Sequence, residues 1–171
     1  MNEFVLPRQA LSLAGFILAH AAWSLSDGEA DDSLCPVAVV EGVDGDRRLK
    51  RFEAETQEEA IIAGKSAMRL AMGDAAGWAF AREGARRWMG SEPSGDVLLV
   101  DFWATGMQST ATLTQPFNRA TRGGRFRVGG VPTLIVGDAL LSADAAKSAI
   151  DAIMQGVRGH TIVAELWPTW R

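Results

Sequence analysis

The chain has no tyrosine, one cysteine (Cys35), two histidines (His20 and His160) and three lysines among its 171 residues. A single cysteine cannot close an intrachain disulfide, which excludes a disulfide-framed scaffold. One thiol and two imidazoles are too few for a zinc site of the Cys/His type. Asp27, Glu29, Asp31 and Asp32 crowd together, but they lack the spacing and the closing glutamate of a calcium loop. No Gly-rich phosphate loop, dinucleotide fingerprint or nucleophile elbow occurs. No metal and no cofactor is therefore expected.

Long apolar runs are also lacking. Ala10–Leu25 is nearly all apolar, yet it is shorter than the roughly 20 residues that span a bilayer and it contains His20. An export signal needs a basic start, and here Glu3 balances Arg8. Arg8, Ser12, His20 and Ser24 fall at multiples of four, one narrow polar stripe on a helix. The run reads as a buried core helix over residues 7–25 of a cytoplasmic protein that does not enter a membrane.

What is present is an ordinary globular composition, 47% hydrophobic and 22% charged, at a length that suits one domain over 1–171. The net charge of −4 lacks the basic field of a general nucleic-acid binder, so nucleic acid is not the expected partner. That total is uneven. Asp27 to Glu59 carries 11 acids and 4 bases, whereas Ala60 to Arg171 carries 9 acids and 12 bases. Fourteen of the 17 bases are arginine, whose rigid fork suits carboxylates and phosphates.

Leu34–Val43 and Arg47–Ala54 are β-type runs separated by Asp44-Gly45, a hairpin signal. Thr56-Gln57-Glu58-Glu59 is a capping box that opens a helix over 57–72. Residues 75–90 alternate like a strand but tolerate helix, and a short strand is the preferred reading. Asp96–Ala104 and Thr110–Phe117 read as a second hairpin, and Val128–Val136 as a further apolar strand. Ser142 caps a last helix over 143–155. The fold class that follows is α+β: a mainly antiparallel sheet of about 5–6 strands built from hairpins, with three helices on one face.

Two fragments are similar to pieces of the thioredoxin fold. Val100-Asp101-Phe102-Trp103-Ala104 resembles the strand that enters its redox loop, and Gly130-Val131-Pro132-Thr133 resembles its cis-proline turn. Met107 and Thr110 stand where the two cysteines belong, so the dithiol chemistry is absent. The 25 positions from Met107 to Pro132 are too few for the helix, strand and helix between them. No residue role is carried over.

The densest candidate for a ligand is Arg119, Arg122, Arg125 and Arg127 around Gly123-Gly124, which could hold a small anion bidentately, with Phe126 for stacking. The plainer reading pairs these arginines with the acidic segment. His20 is the natural general base, or else a hydrogen-bonded core histidine. His160 follows Gly159 near a helix end, where a cation meets the carbonyl dipole. Asp101, inside an apolar strand, calls for an arginine partner or a functional role. Trp167 and Trp170 flank Pro168 in what reads as an irregular tail and are candidate interface residues. The function expected is a non-catalytic binding domain acting as a homodimer. The alternatives are an anion- or nucleotide-binding protein using residues 119–127, and an enzyme built on carboxylates and His20.

Overall fold

The computed structural model describes residues 6–28, 32–85, 96–119, 125–130 and 132–171. Helix α1 (Arg8–Asp27) is followed by strands β1 (Val37–Gly42) and β2 (Arg47–Arg51), then helix α2 (Gln57–Ala71). Strands β3 (Ala75–Ala85), β4 (Asp96–Ala104) and β5 (Ala111–Asn118) come next, then the short β6 (Arg127–Val128), β7 (Thr133–Val136) and β8 (Ala139–Leu140). Helices α3 (Ala143–Arg158) and α4 (Val163–Trp170) close the chain. The fold is α+β, with every strand pair antiparallel and the order β2-β1-β3-β4-β5-β7-β8, β6 lying against β5.

Side-chain alternation divides the sheet into two faces. Val37, Val39, Ala79, Ala81, Leu98, Val100, Phe102, Leu113 and Leu134 point to one face and form a core with α1, α3 and α4. Ala38, Trp78, Phe80 and Trp103 point to the other and form a smaller core with Ala60 and Met68 of α2. The helices therefore lie on both faces, which corrects the single helical layer expected. The reason lies in β1 and β3, which are apolar on both sides and so demand cover on both.

α1 is the central helix. Eleven of its residues are buried, and it crosses α3 where Gly15 meets Gly156. A Cβ on Gly15 would lie 1.9 Å from the Ile153 carbonyl oxygen, and one on Gly156 would lie 2.4 Å from that of Ser12. The two backbones touch because neither residue has a side chain. Among the described residues no helix is long and apolar enough to cross a membrane.

The first hairpin is present, but Gly45 alone has positive φ (87°), and its N–H donates to the Gly42 carbonyl at 3.0 Å. The loop is therefore a type I turn closed by a left-handed glycine, longer than the two-residue turn Asp-Gly suggests. β2, with the sequence RRLKR, is exposed at every position and forms one edge of the sheet. The Thr56 hydroxyl accepts from Glu59 N–H at 3.2 Å and that of Ser142 from Ala145 N–H at 3.3 Å, so both expected caps hold.

The sheet has eight strands where 5–6 were expected, since the run Val128–Val136 divides into β6 and β7 and Ala139–Leu140 adds an edge. Residues 75–85 are strand; residues 86–90 fall outside the described residues. The fourth helix, α4, corrects the expected irregular tail. Pro168 is its sixth residue and sits where few intrahelical bonds remain to be lost, so an eight-residue helix tolerates it.

Candidate functional site

α2 packs onto β1 and β3 through Ala60, Gly64 and Met68. A Cβ on Gly64 would come within 2.4 Å of the Phe80 ring, so the helix rests directly on that ring. It stops short of β5, and a cleft of about 390 Å³ opens between its C-terminal half and the sheet. The register runs Phe80, Asp101 and Thr112 side by side across β3, β4 and β5 on this face. The arrangement converts three separate sequence features into one surface.

Asp101, the carboxylate inside an apolar strand, has the arginine partner that its setting demands. Arg82 of β3 pairs with Oδ2, and the Thr112 hydroxyl donates to Oδ1 at 2.7 Å. Both charged side chains are largely buried, at 12% and 13% exposure. Lys65 and Arg69 of α2 line the same cleft from its solvent side. Three cations thus face one carboxylate that already has its partners. Met68, Met72 and Phe80 supply apolar walls.

Trp78 shares with Trp167 of the opposite core a buried indole N–H without an acceptor. It is only 4% exposed and lines the cleft, yet its Nε1–H meets no acceptor. Its cross-strand neighbour Trp103 donates to the Met107 carbonyl at 3.1 Å. A buried donor left unpaired costs about 1–3 kcal/mol.

The cleft sets three cations and one carboxylate beside apolar walls. Neither threonine hydroxyl in the cleft has a histidine within reach to activate it, because His20 and His160 lie on the opposite face of the sheet, on α1 and before α4. There the two rings approach at 3.3 Å, Nδ1 of His20 to Nε2 of His160, packed by Phe16 and Trp23. Burial of its ring is the largest cause holding His20 below the ordinary 6.5, and nearby His160 and Arg51 add to it. Burial likewise lowers His160. His160 accepts the Val163 N–H at the start of α4 instead of standing as a cation at the end of α3, as the sequence suggested.

Arg119 donates to Asp96 at 3.1 Å, to the Asp32 carbonyl at 2.6 Å and to Glu83, and it lies over the Phe117 ring. Arg125 and Arg127 are exposed, and Arg122 lies outside the described residues. Trp167 and Trp170 are 6% and 7% exposed and pack in this chain's own core, with Trp170 edge-on to Phe126 at 5.1 Å.

A second hollow, about 550 Å³ between α3 and β7–β8, is mostly apolar and holds no buried unpaired polar atom among the described residues. The α2 cleft was partly legible in the sequence, since Asp101 stood out. Trp78 carried no signal, because burial of an indole is visible in sequence but the absence of an acceptor is not. Among the described residues no three His, Cys, Asp or Glu side chains gather as a metal site would need. No family model, no curated protein and no solved structure matches the chain.

Proposed function

We propose that the protein is a non-catalytic binding protein that takes a small organic anion with an apolar body into the cleft beside α2. The observation that carries this reading is the lining of the cleft, where Lys65, Arg69 and Arg82 outnumber the one carboxylate, Asp101, three to one beside apolar walls. Lys65 and Arg69, both exposed, would hold the anionic group through charge-assisted hydrogen bonds. Phe80, Met68 and Met72 would cover the apolar body, the methionines adapting to its shape. Asp101 holds Arg82 in place and so keeps one side of the cleft polar and fixed. An anion site on Arg119, Arg122, Arg125 and Arg127 is the weaker reading, because Arg119 is already held by Glu83 and Asp96.

The test is titration calorimetry with naphthalene-2-carboxylate against its neutral isostere, 2-naphthylmethanol. The carboxylate is expected to bind at least about tenfold tighter, and the exposed-site double variant Lys65→Ala, Arg69→Ala is expected to abolish that preference. Equal affinity for the two probes, or a preference that survives the double variant, would refute the proposal.

A further inference from the structure

We propose a second, independent site at the C-terminal end of α1, for a small zwitterion with a methylated ammonium at one end and an anionic group at the other. It lies on the opposite face of the sheet from the α2 cleft, in a hollow of about 420 Å³. Trp23, Phe126 and Trp170 wall it. The Phe126 and Trp170 rings stand at 82° to one another with centroids 5.1 Å apart, so they form two sides of a corner.

At the mouth are Asp27 and Arg125, both exposed. Neither takes part in an ion pair among the described residues, with the other or with any third group. An acid and a base thus share one opening without neutralising each other.

The helix itself adds a second sign that a cation belongs there. α1 runs for 20 residues, and its last turn holds no basic side chain. A helix C-terminus carries partial negative charge and is usually matched by Lys, Arg or His. Here the last residue is Asp27, which adds to that charge instead of offsetting it. A cation arriving from outside would meet the carbonyl end, the Asp27 carboxylate and aromatic rings together. A methylated ammonium suits this combination, because its charge is spread over methyl groups that aromatic rings attract. Arg125 across the opening would hold the anionic end. A simple cation leaves Arg125 unmatched, and a simple anion leaves Asp27 and the helix end unmatched.

Glycine betaine is the probe, with tetramethylammonium and acetate as its two halves, followed by calorimetry and by the fluorescence of Trp23 and Trp170. Betaine is expected to saturate the site at least about tenfold more tightly than either half. Asp27→Asn and Arg125→Gln, at exposed positions that the fold does not use, should each weaken it about tenfold. Excess naphthalene-2-carboxylate should leave betaine binding unchanged whether or not the α2 cleft takes it, so the two proposals fail separately. Phosphocholine and phosphatidylcholine vesicles distinguish a free solute from a lipid headgroup: binding of either soluble zwitterion supports the site, and vesicle binding alone overturns it. No saturable binding of betaine or of phosphocholine, equal binding of tetramethylammonium, or indifference to both variants also overturns it.

Discussion

The hydrogen bond between His160 and His20 has a fixed direction. Val163 N–H donates to Nδ1 of His160 at 3.3 Å, so that nitrogen carries no proton. The proton of the neutral ring is therefore on Nε2, which donates to Nδ1 of His20, 3.3 Å away. His20 in turn carries its own proton on Nε2. Protonating His160 would remove the acceptor at the start of α4, and protonating both rings would set two cations side by side.

Stability should accordingly depend on pH in one direction. Both imidazoles titrate below the ordinary 6.5 in the folded chain, so the unfolded chain takes up protons first as pH falls. Stability is steady above that value and is lost as pH falls below it toward the folded values. Melting temperatures at about pH 7.5 and about pH 5.5 check this. The drop should shrink in a His20→Asn, His160→Asn double variant, and an undiminished drop would assign it to other groups.

Gly15→Ala and Gly156→Ala should each destabilise the fold by about 1–3 kcal/mol, near the upper end, because the new methyl meets backbone on the facing helix. Urea denaturation measures it. Gly45→Ala offers a contrasting case: it has open space, and its penalty would come from positive φ alone.

Arg119 differs from its neighbours in the same way. Arg119→Met leaves Glu83, whose side chain is 13% exposed, without its cation and should cost roughly 1–3 kcal/mol. Arg125→Ala and Arg127→Ala, both exposed, should stay within about 0.5 kcal/mol of wild type. Denaturation midpoints that rank the three equally would contradict the ion-pair assignment.

Trp170→Ala should cost about 3–5 kcal/mol, the range for a buried aromatic removed from a core. A change near zero in chemical denaturation would mean that α4 is not docked in solution as it is here.

The helices and hairpins were legible because each announces itself locally. Thr56 and Ser142 cap, Gly45 and Gly137 turn, and the polar stripe of α1 falls at multiples of four. Helix α4 was not legible, because Pro168 outweighs the neighbouring signals in any local reading, whereas tertiary burial of Trp167 and Trp170 decides the outcome. The face taken by α2 was hidden too. It depends on Trp78 and Phe80 needing cover, and an alternation of large and small residues looks alike whichever side the helix chooses. Of the cleft, Asp101 was visible and its partner type foreseeable; that Arg82 and Thr112 would flank it depends on cross-strand register, which no single segment encodes.

The exposed edge strand β2 gives the charge distribution a different meaning. Along the chain, Arg47, Arg48, Lys50 and Arg51 vanish into the most acidic quarter of the sequence. In space they stand together on an open rim whose unpaired backbone groups are a template for another strand. Arg47 is held by Glu41 at 2.7 Å, so a second copy offering the same rim meets the positive charges of Arg48, Lys50 and Arg51 with three of its own. This strand therefore guards the chain against edge-to-edge stacking, and the guard weakens as salt screens it.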